Sequence, residues 1–125
     1  MKYQLLIVLL LGLSLAPTGA GASATDISGT WAFSVGLDGG PQNFPMTFDF
    51  KQQGEKLTGS QSGGSGEPKV TGTVKGNKVE FSVEGKNRGG DPYKNTFTGA
   101  IESPARMSGS CEFPKGPGKW TATKK

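Results

Sequence analysis

The sequence predicts an all-β protein, an eight-stranded antiparallel up-and-down meander closed into a small barrel, on three observations. Apolar and polar residues alternate with period two along the chain after residue 24, and helical periodicity is missing. Turn residues separate the alternating segments at short intervals. An apolar residue followed by Ser or Thr and then Gly recurs in Ile27-Ser28-Gly29, Leu57-Thr58-Gly59, Val70-Thr71-Gly72, Phe97-Thr98-Gly99 and Met107-Ser108-Gly109.

The alternation defines each strand in turn. The predicted strands are 29–35, 44–52, 56–60, 69–74, 78–84, 93–101, 106–113 and 119–123. The second is the clearest, since Phe44, Met46, Phe48 and Phe50 lie on one face and polar residues on the other. One apolar and one polar face are typical of an antiparallel sheet that covers a core.

The connections between these strands fall into two classes. Those at 53–55, 75–77 and 102–105 are short enough for tight hairpin turns. Those at 36–43, 61–68, 85–92 and 114–118 are longer or rich in Gly and Pro, and Gly63-Gly64-Ser65-Gly66 is typical of a flexible hairpin tip. In a meander, alternate connections lie at opposite ends. We therefore expect the longer ones at one end, the mouth, and the tight turns at the other, the floor.

A barrel of eight strands is either filled by its side chains or holds one small ligand. The expected inward residues include Trp31, Phe33, Phe48, Phe81, Phe97, Phe113 and Trp120, and Gly59, Gly72, Gly99 and Gly109 share their face. Either the aromatic rings occupy the gaps that the glycines leave, or the gaps form a cavity. A flattened β-sandwich would use the same alternation and is the structural alternative.

The N-terminus has the features of a secretory signal peptide. Lys2 precedes a short apolar run, and overlapping cleavage signals end at Ala22 and Ala24. We predict a signal peptide over residues 1–24 and a single β-barrel domain over 25–125. The mature protein is then secreted or periplasmic, has no integral membrane segment after processing, and is expected to be a monomer.

The composition argues against catalysis, metals and cofactors. The chain contains no His, and its one Cys, Cys111, falls on an apolar strand face where we expect it to be buried. Asp49, Glu80, Glu84 and Glu112 fall on predicted outer faces. We predict no enzyme, no metal ligand and no cofactor. Once Lys2 is removed, 13 basic and 10 acidic residues remain, scattered singly, so we expect no nucleic-acid partner.

Candidate binding residues gather at the predicted mouth, because binding groups tend to lie on loops held by a rigid scaffold. They are Asp38, Gln42, Asn43, Lys86, Asn87, Arg88 and Asp91, with Tyr93 and Asn95 just inside. Arg88 is the sharpest candidate for an anionic or carbohydrate contact. The alternative is that the loop residues only form and solvate turns, and that Asn95 pairs with Tyr93 or a water.

The ends of the barrel sequence resemble a known family. Gly29-Thr30-Trp31, the recurrent Thr-Gly phrases and Trp120-Thr121-Ala122-Thr123-Lys124 look like the small exported bacterial barrels of lipocalin-like, or calycin, character. The resemblance implies that Trp31 lies across the floor and that Lys124 packs on it, with Trp120 also structural. A fainter similarity to avidin and streptavidin barrels does not extend to biotin binding, because Met46 and Phe48 stand where polar contacts would be needed.

Two functions remain open on the sequence. The first is an exported, non-enzymatic binding module that carries or senses a small apolar or amphipathic ligand through the mouth. The alternative is a filled barrel that acts as an interaction module for an exported protein or the cell envelope. A cavity beneath the mouth favours the first, and a packed interior favours the second.

Overall fold

The computed structural model describes residues 25–62 and 68–125, so the predicted signal peptide (1–24) and most of the Gly-rich connection (63–67) lie outside the described residues. The strands are β1 (Gly29–Leu37), β2 (Phe44–Gln53), β3 (Lys56–Ser62), β4 (Lys69–Lys75), β5 (Lys78–Lys86), β6 (Pro92–Ser103), β7 (Arg106–Phe113) and β8 (Gly116–Lys124). No helix long and apolar enough to cross a membrane occurs in these ranges.

The strands form the predicted meander and close into a barrel. Each pairs antiparallel with the next along the chain, and β8 returns to pair with β1 from Trp31↔Lys124 to Leu37↔Gly118. Closure satisfies the backbone groups that an open meander would leave exposed at its two edge strands. The all-β barrel prediction is confirmed, and the two-sheet sandwich is not the arrangement found.

One mouth connection is shorter than the sequence indicates. β8 begins at Gly116 instead of residue 119, so only Pro114 and Lys115 join it to β7. Sequence alternation is lost at Gly116 and Gly118, yet their backbones pair with Phe113 and Cys111. A Cβ on Gly118 would lie 2.9 Å from Leu37 Cδ2, so glycine permits close pairing there. Among the described residues, the longer connections at the mouth are therefore 38–43 and 87–91.

Aromatic rings occupy the middle of the barrel. Phe33 is their centre: its ring stacks on Trp120 at a centroid distance of 4.9 Å and meets Phe48 edge-on at 4.8 Å. The ring centroids of Phe50, Phe81 and Phe97 lie 6.1, 6.0 and 5.9 Å from that of Phe33. Edge-on and offset geometries are the favourable ones for aromatic pairs. Of the two interiors that the sequence left open, the structure has the one filled by side chains.

Glycines on the inner face make this packing fit. A Cβ on Gly99 would come within 2.6 Å of Trp120 Cζ2, and a Cβ on Gly72 within 2.5 Å of Phe81 Cβ. Real Cβ atoms do not approach so closely, so the aromatic side chains occupy the space that glycine leaves. At Gly72 and Gly99, the glycine of the repeated phrase therefore provides the space in which an aromatic side chain packs.

The floor is closed by the segment that precedes β1. Ile27 is fully buried; its N–H donates to Gln52 Oε1 at 2.9 Å, and its carbonyl oxygen accepts from Trp31 Nε1 at 2.9 Å. Trp31 thus lies at the floor, as the lipocalin-like resemblance implies. Lys124 is opposite Trp31 in the β1–β8 register, and its side chain extends over Gly29.

Candidate functional site

The predicted mouth residues do not surround an opening into the barrel but separate into three groups. Asp38, Gln42 and Asn43 lie on the 38–43 loop, and Asn87, Arg88 and Asp91 lie on the 87–91 loop with Lys86 at the end of β5. Tyr93 and Asn95 lie on β6. Beneath them the interior is packed, so the loops cover a core.

The 38–43 loop is braced and lies across the outer face of β1. The Leu37 N–H donates to the Pro41 carbonyl at 3.0 Å, and Gln42 Nε2 donates to the Leu37 carbonyl at 2.8 Å. Asn43 has a φ of 56°, a left-handed conformation that Asn tolerates. Its Oδ1 accepts from the outward hydroxyl of Ser34 at 3.4 Å. The Gln42 amide oxygen lies over Gly36, only 2.6 Å from where a Cβ would stand.

This loop forms one wall of a groove of about 490 Å³ on the outside of the barrel, which we call the outer groove. The base of this groove is a row of outward hydroxyl groups on three adjacent strands, since Ser34 pairs with Thr121 and Thr121 with Ser108. The full lining is Ser34, Gly36, Asp38, Gln42, Asn43, Ser108, Gly109, Lys119, Trp120 and Thr121. Three predicted site residues thus contribute to a site on the barrel wall.

The 87–91 loop is held by Asn87. Its Oδ1 accepts from the N–H groups of Gly89 and Asp91 at 2.9 and 3.0 Å, and its own N–H donates to the Asp91 carbonyl at 2.9 Å. An Asn side chain that bonds its own turn in this way fixes the loop's shape. Asn87 is therefore engaged in the turn, and Arg88 is exposed on it.

Asn95 is the buried polar side chain of the inner face. It is 5% exposed, and its Oδ1 has no hydrogen-bond partner within the described ranges. The expected pairing of this oxygen with Tyr93 is not formed. The Tyr93 ring lies instead over Gly85, with its hydroxyl 2.8 Å from where a Gly85 Cβ would be. A buried acceptor without a donor costs roughly 1–3 kcal/mol, so Asn95 is a candidate contact for a water or ligand.

Sequence alternation missed the apolar surface of the mouth. Phe44 shares the inward face of β2 but is 47% exposed, because it lies at the mouth end of the strand, beyond the packed layer. Leu37 and Phe113 are half-buried at the same end and pack on the core from its edge. Alternation identifies the face on which a residue lies, whereas its depth along the barrel axis sets its exposure.

Cys111 is buried, as expected. It is 3% exposed, and burial, with the negative charge of Asp38 adding to it, raises the pKa of its thiol above the ordinary value of 9.0. A raised pKa leaves the thiol protonated and poorly nucleophilic at neutral pH. Within residues 25–62 and 68–125, no three His, Cys, Asp or Glu side chains are grouped closely enough to hold a metal ion.

Together the fold and these surfaces define a small eight-stranded antiparallel β-barrel, an architecture compatible with lipocalin-like proteins. The chain matches no protein-family model, and no curated protein or solved structure gives a significant match.

Proposed function

We propose that this protein is an exported, non-enzymatic interaction module of lipocalin-like type, whose filled barrel presents a protein-binding surface at the mouth. The observation that carries the proposal is Phe44, a large apolar side chain left 47% exposed on a rigid strand. Exposed aromatic side chains on rigid elements are typical anchors of protein interfaces.

The surroundings of Phe44 support this proposal. Leu37 and Phe113 are further apolar side chains at the same end of the barrel, where they are partly buried against the core. Around them stand the polar 38–43 and 87–91 loops, each held by internal hydrogen bonds. An apolar centre inside a polar rim is the usual composition of a specific interface. Because the loops are already ordered by their own bonds, little conformational entropy would be lost on binding.

The packed interior also favours an interaction module over a carrier. The ring centroids of Phe48 and Trp120 both lie within 5 Å of that of Phe33, in the interior that a carried ligand would have to occupy. An apolar ligand would have to displace one of these rings. Export follows from the signal-peptide features of residues 1–24 and belongs to the same proposal.

A site-specific photo-crosslinking experiment tests the proposal. A photoreactive phenylalanine analogue replaces Phe44 in one variant and Glu55, in a floor turn, in the control. Both are expressed in the native host and irradiated before fractionation. We expect a discrete protein adduct from position 44 that is absent at position 55 and is outcompeted by excess wild-type protein but not by Phe44→Ser. The proposal fails if both positions give the same adducts, or if neither gives one.

Asn95 favours a second function, transport or sensing of a small ligand. Asn95 is 5% exposed, and its Oδ1, which has no partner among the described residues, would accept a hydrogen bond from a ligand hydroxyl or amine. Native mass spectrometry of protein isolated gently from the host tests this. An adduct of small-molecule mass, lost on denaturation and absent from Asn95→Leu, would support the carrier. A bare chain mass would count against it.

A further inference from the structure

We propose that the outer groove is a separate binding site for a neutral, hydroxyl-rich ligand, a short glycan. It lies on the barrel wall formed by β1, β7 and β8, and Phe44 is not among its lining residues. The inference therefore stands independently of the protein-binding surface at the mouth. Its volume of about 490 Å³ is within the range of small-ligand sites.

The base of the outer groove carries three hydroxyl groups. Ser34, Thr121 and Ser108 are direct register neighbours across three hydrogen-bonded strands. Adjacent strands lie roughly 4.8 Å apart, so the three hydroxyls form a short ladder. The Ser108 hydroxyl donates a hydrogen bond to Glu102 Oε2 at 2.5 Å, and the Ser34 hydroxyl donates one to Asn43 Oδ1 at 3.4 Å. Both hydroxyl oxygens can still accept a hydrogen bond.

The wall of the outer groove adds both hydrogen-bond donors and hydrogen-bond acceptors. Gln42 directs its Nε2 into the loop, at the Leu37 and Gly40 carbonyls, and holds its Oε1 over Gly36 as an acceptor. Asp38 provides a carboxylate and Lys119 an ammonium group. The one ion pair found among the described residues is Arg106–Glu102, so both charges remain available, and they cancel in sum.

This lining selects against the other ligand classes. An apolar ligand would cover hydroxyl, amide and charged groups without offering them partners, which costs binding free energy. Because the charges of Asp38 and Lys119 cancel, neither a polyanion nor a polycation gains a net electrostatic attraction from these two groups. A neutral glycan carries hydroxyls that both donate and accept at each sugar unit, so it can bond to the hydroxyl, amide and charged groups of the groove, and its C–H groups can cover the apolar part of the lining.

Two substitutions address the groove without touching the core. Thr121→Val removes one hydroxyl group from the base of the groove and leaves the side-chain volume nearly constant. Gly36→Ala places a methyl group 2.6 Å from Gln42 Oε1, and the flexible amide can move away from it at little cost to the fold. The matched control is Thr123→Val, which lies on the same face of β8, two residues along, and outside the groove lining.

Amide chemical-shift titration of the full chain measures the binding. The probes are neutral tetrasaccharides of α-1,4-linked glucose, β-1,4-linked glucose and β-1,4-linked N-acetylglucosamine, with an acidic uronate tetrasaccharide as the charged comparison. We expect saturable shifts at Gly36, Gln42 and Thr121 with one neutral probe. Affinity should fall about five-fold or more in Thr121→Val and Gly36→Ala, as for one lost hydrogen bond, and stay unchanged in Thr123→Val.

Three results would overturn the inference. The first is no saturable shift in the groove with any neutral probe. The second is binding that Thr121→Val leaves unchanged. The third is tighter binding of the uronate probe, since this would assign the site to anions. Urea unfolding of each variant accompanies the titration, so that a loss of affinity is read only from a folded protein.

Discussion

Replacing Phe33 by alanine tests whether the barrel interior is packed. Phe33 is 3% exposed, stacks on Trp120 and meets Phe48 edge-on, with ring centroids below 5 Å in both pairs. Removing a buried phenylalanine ring costs about 3–5 kcal/mol in transfer and cavity terms. Because Phe33 is the centre of the cluster, we expect a loss of about 4 kcal/mol. That is a large part of the roughly 5–15 kcal/mol by which a domain is stable.

Urea unfolding followed by tryptophan fluorescence measures this loss. The same substitution at Phe44, which is 47% exposed, is the matched control and should cost only about 1 kcal/mol. The slope of the unfolding free energy against urea should be alike in both variants. If Phe33→Ala costs no more than Phe44→Ala, the interior is not packed around Phe33, and the argument against a carried ligand fails.

Three further results are expected. Gly99→Ala should lower the free energy of unfolding by about 2 kcal/mol or more, since its methyl group would lie 2.6 Å from Trp120 Cζ2. The control Gly89→Ala, whose methyl group would be 3.4 Å from its nearest neighbour, should change the free energy little, and equal urea midpoints for the two variants would contradict the packing role of Gly99. Cys111 should react with a thiol reagent only as fast as the protein unfolds, and rapid labelling of native protein would refute this. Because burial raises the pKa of its thiol above 9.0, the contribution of Cys111 to the free energy of unfolding should be fully present below about pH 8 and be lost as the pH rises through the folded-state pKa, so the wild type should lose more stability in that range than Cys111→Ala. Asn95→Leu should leave stability unchanged or raise it by about 1 kcal/mol in thermal unfolding, because the asparagine oxygen has no hydrogen-bond donor among the described residues. A loss above about 2 kcal/mol would show that this oxygen is bonded in solution.

Most of the fold follows from local sequence patterns. The alternation in Phe44–Gln53 and Lys78–Lys86 sets which residues face inward, and the short turns between strands set the antiparallel order. The prediction fails where alternation is interrupted without loss of pairing. Gly116 and Gly118 carry no side-chain pattern, but their backbones continue the β7–β8 ladder, so a five-residue loop was expected where two residues suffice.

The sequence indicated which loop residues belong to the candidate site, but it did not indicate where the site lies on the barrel. Asp38, Gln42 and Asn43 were expected at the mouth, and they lie on the loop that follows β1. That they contribute to a groove on the outer face depends on the left-handed Asn43 and on the Gln42 hydrogen bonds that bring the loop over Gly36. Ser108, Lys119 and Thr121 complete the groove from strands far away in sequence, and no local pattern relates them to that loop.

The sequence by itself determined the eight strands, their inward residues and the glycines that share the inward face, because side-chain alternation and turn chemistry act over a few neighbouring residues. Tertiary structure alone decided that the barrel is filled. Whether the rings of Phe33, Phe81 and Trp120 meet or leave a cavity depends on barrel diameter and strand stagger. Those quantities are set by all eight strands together, and the exposure of Phe44 follows from them in the same way.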